Sequence, residues 1–139
     1  MPADFFIDAR LGMVFSKATG VIRWVDAVDH MDRLSTHPDF RPEFNQLFDF
    51  REAQGVALSH DEIHRLSTRK IFGERSRRAF VVAGDFQFGI ARMFSIYREM
   101  QGEPGIQVFR EMNKALTWLS LTAEPDPGFF TRLDRSAEA

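Results

Sequence analysis

The chain has 139 residues, 44% of them hydrophobic and 27% charged, with a formal net charge of −2. That length suits one domain, and the composition is that of a globular chain with enough apolar surface to offset its ordering entropy. It has no Cys, which excludes disulfides, thiolate catalysis and cysteine-type zinc sites, and its near-neutral charge sets up no general field toward nucleic acid or anionic membrane.

Alternating residues over 5–10 and 13–18 predict a hairpin turned at Leu11-Gly12. Thr19-Gly20 interrupts the alternation. Val21, Trp24, Val25, Val28 and Met31 then recur at helical spacing, opposite Arg23, Asp26, Asp29 and Arg33. This first helix should stop near Ser35, because the residue before Pro38 is pushed out of the α region. A third strand is expected over 45–51, with Leu47, Asp49 and Arg51 on one face and Phe48 and Phe50 on the other, followed by a turn over 52–55. Ser59 precedes Glu62 by three positions, the spacing of a capping box, so a second helix should start there and run to about Phe72, stopped by Gly73.

The apolar run 79–83 predicts a strand covered on both faces. Gly84-Asp85 leads into a third helix with Phe86, Ile90, Phe94 and Tyr97 as its buried stripe and Met93 and Met100 alongside. Pro104 closes it, 106–109 is a short strand, and Met112, Ala115, Leu116 and Leu119 stripe a fourth helix. The class is therefore α/β: a mixed four- or five-stranded sheet in the order ββαβαβαβα, an N-terminal hairpin followed by βαβ units. One domain is expected over 1–124. Residues 125–139 read as a C-terminal tail, partly ordered or docking, in which Phe129-Phe130 is the apolar element left for an interface.

Ligands of open α/β sheets meet the crevice beyond the carboxyl ends of the parallel strands. Here those ends should bring Arg51, Ser59, Asp85 and Arg110 onto one rim, with Arg92 on the exposed side of the third helix. Asp85 stands where its carboxylate would cap that helix, in competition with any anion.

Several stretches resemble a known family: Asp39-Phe40-Arg41-Pro42 and Leu47-Phe48-Asp49-Phe50-Arg51, then Phe88-Gly89-Ile90-Ala91-Arg92-Met93-Phe94, and Val108-Phe109-Arg110 leading to Ala115-Leu116-Thr117-Trp118-Leu119. Together with the element order, they resemble the STAS domain of anti-sigma-factor antagonists. They are closer to the STAS-like bacterial proteins of unknown function grouped with CRAL-TRIO lipid-transfer relatives. The resemblance covers about residues 4–121 and implies protein docking or small-ligand sensing rather than catalysis. Antagonists of that type carry a phosphorylatable Ser in an Asp-Ser-Ser-Gly-like turn. This chain reads Leu58-Ser59-His60-Asp61-Glu62-Ile63 there, so the matching position is Asp61, a fixed negative charge, and the phospho-switch does not carry over.

Other constellations are read as follows. His60 and His64 have the i, i+4 spacing of a metal pair, but the His-Glu-x-x-His order is not met and no third ligand is evident. Arg65, Arg69, Lys70, Arg75, Arg77 and Arg78 form a basic cluster without interleaved aromatics, better read as a helix end and a solvated loop than as a nucleic-acid surface. Gly84 and Gly89 read as a turn and a close helix–sheet approach. No Gly-x-Ser-x-Gly elbow or phosphate loop occurs, so no catalytic residue, metal or cofactor is assigned. No apolar run is long enough to span a bilayer and the start lacks the pattern of a signal peptide, so the default location is the cytoplasm. The leading expectation is a non-enzymatic STAS-like regulatory or interaction domain with a protein partner or self-association. Behind it stand a binder of small apolar, lipid-like ligands, using the 15 Phe, and a metal-dependent enzyme using His60 and His64.

Overall fold

The structure, a computed structural model, describes residues 2–121. Its elements run β1 (Ala3–Asp8), β2 (Met13–Arg23), α1 (Trp24–Ser35), β3 (Asn45–Ala57), α2 (His60–Ser67), β4 (Arg78–Val81), α3 (Asp85–Met100), β5 (Ile106–Phe109) and α4 (Met112–Trp118). This is the ββαβαβαβα order, folded into one five-stranded sheet in the order β1-β2-β3-β4-β5. β1 is antiparallel to β2 and the other neighbours are parallel. Right-handed crossovers between successive neighbours of such a sheet put their helices on the same face. Accordingly α1, α2 and α3 cover one face, and α4 covers the other.

The pleat divides the apolar residues between the faces. Met13, Phe15, Leu47, Ala79 and Val81 pack under Met112, Ala115 and Leu116 of α4 and under Leu119, which caps its C-terminus, the four residues expected as the stripe of that helix. Phe48, Phe80 and Val82 point the other way, toward Ala91 of α3. Val14 joins Leu34, Phe40 and Phe72 beneath α1. β4 is buried along its whole length, as its apolar run predicts.

Both long strands outrun their predicted ends. β2 continues through Thr19-Gly20 to Arg23, so Val21 is a strand residue and α1 begins only at Trp24. β3 likewise continues through 52–55 to Ala57. In the ladder, Lys17 and Thr19 oppose Asp49 and Glu52, and Gly20 and Val21 oppose Ala53 and Gly55, so β3 carries an extra residue at each shift. These are β-bulges, and Gly20 supports the second with a φ of +66°. Bulges recruit the same glycines as turns, which is why the local signal reads as a break while the ladder passes through it.

α2 ends at Ser67, short of Phe72. Its last carbonyls are taken by side chains: Ser67 Oγ donates to His64 O at 2.5 Å, and Thr68 Oγ1 to Arg65 O at 2.6 Å. The chain then leaves the helix so that Phe72 can bury completely. The helix faces are rotated too. α1 buries His30 and Leu34 and leaves Val25 67% exposed, while Phe86 and Met100 of α3 are 70% and 77% exposed. Gly89 makes no close approach, since a Cβ there would meet nothing within 4 Å. The tight glycine is Gly105, where a Cβ would lie 1.9 Å from the carbonyl oxygen of Ser76. Any side chain there would displace the start of β5 from β4, whose Arg78 N–H donates to Gly105 O. Phe129 and Phe130 lie outside the described residues.

Candidate functional site

Between the sheet and α1–α3 lies a cavity of about 120 Å³. The sheet contributes Phe48, Phe50 and Phe80, and the helices contribute Met31, Ile63 and Phe94. Five alanines, Ala3, Ala18, Ala27, Ala53 and Ala91, also line it, where larger side chains would reach further into the space. Its wall is apolar except at Gln87, His30 and Arg78. Gln87 is tied to the sheet, its Nε2 donating to Ala53 O at 2.8 Å.

His30 and Arg78 belong to a buried polar chain that crosses the amino ends of the parallel strands. His30 Nε2 lies 3.1 Å from Ser16 Oγ, which accepts from Gln46 Nε2 at 3.0 Å. Gln46 Oε1 accepts from Arg78 Nε at 3.0 Å, and Arg78 Nη1 donates to Glu103 Oε1 at 3.0 Å. The other oxygen of Glu103 accepts from Arg98 Nε at 2.6 Å, and Arg98 Nη1 donates to Ser67 O, also at 2.6 Å. The chain therefore links α1, three strands, the loop before β5, α3 and the end of α2. Glu103 and Arg98 are each 2% exposed. Among the described residues, no sealed side-chain nitrogen or oxygen lacks a hydrogen bond.

Burial sets the electrostatics. Desolvation, then the charges of Arg33 and Arg78, lower the pKa of His30 to about 3, so its imidazole is neutral at physiological pH. Desolvation also lowers the pKa of Arg78, with Arg98 acting in the same sense and Glu103 opposing it. The Arg78 guanidinium lies 4.2 Å above the ring of Phe72 and 5.4 Å from that of Phe80. Such faces attract a desolvated cation.

The structure distributes the predicted rim residues over several contacts. Arg110 Nη1 meets Asp85 Oδ1 at 2.5 Å, with its guanidinium 4.4 Å from the ring of Phe88. Asp85 is not the cap: Gly84 holds that place and Asp85 is the first helical residue. Arg51 stands midway along β3 instead of at its end, and forks onto Asp49 with two bonds of 3.0 Å. Ser59 forms the capping box, accepting from the Glu62 N–H at 3.1 Å while Glu62 Oε1 accepts from the Ser59 N–H at 2.9 Å. Asp61 pairs with Arg65 at 3.1 Å across one helical turn, and Arg92 is exposed on α3.

The basic cluster is split by the fold. Arg69 pairs with Asp32, Arg77 Nη1 donates to Trp118 O at 3.0 Å, and Arg78 is buried in β4 instead of lining a solvated loop. His64 stands edge-on to Tyr97 with ring centroids 5.0 Å apart. Among the described residues, no group of three or more His, Asp or Glu side chains is placed to hold a metal ion. No helix there is long and apolar enough to cross a membrane.

Sequence reasoning missed His30, Arg78, Arg98 and Glu103. A signal existed for two of them. His30 shares the stripe Ala27, Met31, Leu34 at helical spacing, and Arg78 abuts the apolar run 79–83. Glu103 shows no local signal, because its partners Arg98 and Arg78 reach it from α3 and from β4.

No family profile and no curated protein matches the chain. Among solved structures it is similar to that of an uncharacterized protein of the DUF3478 family with a SpoIIAA-like fold, from Shewanella loihica. The two are 22% identical, the match covers 77% of this chain and 83% of that one, and the TM-score is 0.51. The fold is thereby SpoIIAA-like, the STAS-like architecture that the motifs imply.

Proposed function

We propose that this domain binds a small apolar ligand in the cavity between the sheet and α1–α3. The observation that carries this reading is an apolar space with five alanines among its lining residues. Protein interiors are close-packed, and unfilled volume costs roughly 24 cal/mol per Å³. One or two larger side chains at the alanines would fill part of the 120 Å³. An engineered cavity of about 150 Å³ with similar lining takes up benzene, so the space here, of similar size, suits an apolar portion of roughly five or six carbons.

The test is thermal unfolding with n-hexanol. A ligand at 100 times its Kd adds about 2.7 kcal/mol of stability. Hexanol should therefore raise the Tm of the wild type, and leave that of Ala91→Leu, or of Ala27→Leu if the first variant is overpacked, unchanged. Equal shifts in wild type and both filled variants would place the binding elsewhere.

A second reading, partner docking or self-association through Arg51, Ser59, Asp61, Asp85, Arg92 and Arg110, is favoured by the 70% exposure of Phe86 next to Asp85. Sedimentation should then show a wild-type dimer that Phe86→Ser dissociates. A wild type that stays monomeric at several hundred micromolar removes self-association.

A further inference from the structure

The binding reading leaves the chemistry of the ligand open, and the polar part of the cavity wall narrows it. Arg78 commits Nε to Gln46 and Nη1 to Glu103. Its remaining nitrogen, Nη2, donates to no group among the described residues. Since no sealed side-chain nitrogen there is without a bond, Nη2 keeps some exposure, and Arg78 is one of the residues that line the cavity.

Charge points the same way. Glu103 accepts from both Arg78 and Arg98, so one carboxylate faces two guanidiniums inside the protein. His30, the other polar wall residue of this chain, is hydrogen-bonded to Ser16 and contributes no countercharge. One positive charge is left in excess at the edge of an otherwise apolar space, where the low dielectric strengthens its field. The rings of Phe72 and Phe80 answer part of it.

We infer that the cavity takes an amphiphilic monoanion: a short chain of about six carbons, the last of them a carboxylate that Arg78 Nη2 receives at the cavity wall. The inference rests on the cavity reading and adds the head group. A carboxylate matches the excess of one charge and forms a charge-assisted hydrogen bond with the free donor. A phosphate monoester would bring about −1.5 to −2 charges and three acceptor oxygens to a single nitrogen. An ammonium would be repelled.

Calorimetric titration with hexanoate, n-hexanol and hexylamine at pH 7 tests this, because each is a six-carbon chain and they differ in the terminal group. Hexanoate should bind the wild type at least tenfold more tightly than hexanol, and hexylamine most weakly. In Arg78→Met, hexanol affinity should persist and the preference for hexanoate should vanish. If that variant does not fold, the wild-type order decides alone. Hexanol binding as tightly as hexanoate overturns the anion inference and leaves the cavity reading standing. Absence of binding by all three removes the cavity reading, and the inference with it.

Discussion

Replacing Glu103 by alanine is expected to destabilise the fold by about 3–5 kcal/mol, the usual cost of removing one partner from a buried ion pair. Glu103 is the shared acceptor of Arg78 and Arg98, with bonds of 3.0 and 2.6 Å, and it is 2% exposed. Without it, two guanidiniums face each other in the interior with no countercharge. The loss would spread to both faces of the polar chain, because Arg98 also holds the Ser67 carbonyl at the end of α2. Glu103→Gln should cost less, since its amide oxygen still accepts from one arginine. Asp61→Ala is the control: its pair with Arg65 is exposed on both sides, and such i, i+4 pairs contribute roughly 0.3–0.5 kcal/mol. Urea unfolding followed by Trp fluorescence measures all three. A loss below about 1 kcal/mol in Glu103→Ala would mean that water replaces the carboxylate and that the network is not sealed.

Acidification is expected to act through His30. Its pKa is about 3 in the fold against 6.5 for the free side chain, with burial as the main cause. Above pH 6.5 the imidazole is neutral in both states and contributes no pH dependence. Between 6.5 and 3 the unfolded chain binds a proton that the folded chain refuses, so stability falls as pH falls. The slope approaches 1.4 kcal/mol per pH unit, or about 2–3 kcal/mol from pH 6.5 to 4.5. The difference between wild type and His30→Gln isolates the effect from that of every other group in the chain. Gln stays neutral and retains a group able to bond to Ser16. The wild-type curve should drop toward that of the variant as pH falls, and parallel curves between pH 7 and 4.5 would sink the assignment.

Of the candidate sites, the sequence marks positions better than neighbourhoods. Ser59 and Glu62 cap α2 as their spacing requires, but Arg51, expected at a strand end, stands mid-strand because the β2–β3 ladder carries β3 on to Ala57. Asp85 and Arg110 do come together, in an ion pair with each other. The Phe content was readable as core material. That part of it walls a cavity depends on alanines at positions 3, 18, 27, 53 and 91 meeting in space, and no local window contains them.

What the sequence determined by itself is what neighbours three or four residues apart can decide: the capping box, the α4 stripe, the apolar runs of β4 and β5, and hence the α/β class and element order. The tertiary structure decided where strands end, which way helices face, and whether a charge is buried. Thr19-Gly20 and 52–55 look like breaks until a parallel partner supplies hydrogen bonds across the bulges. Val25 and Phe86 fit an apolar stripe, yet the faces of α1 and α3 are set by contact with the sheet. Arg78 reads as one more solvated cation, because Glu103, which makes its burial tolerable, lies 25 residues away along the chain. Local propensity is a short-range quantity, whereas desolvation depends on every group that packs around a site.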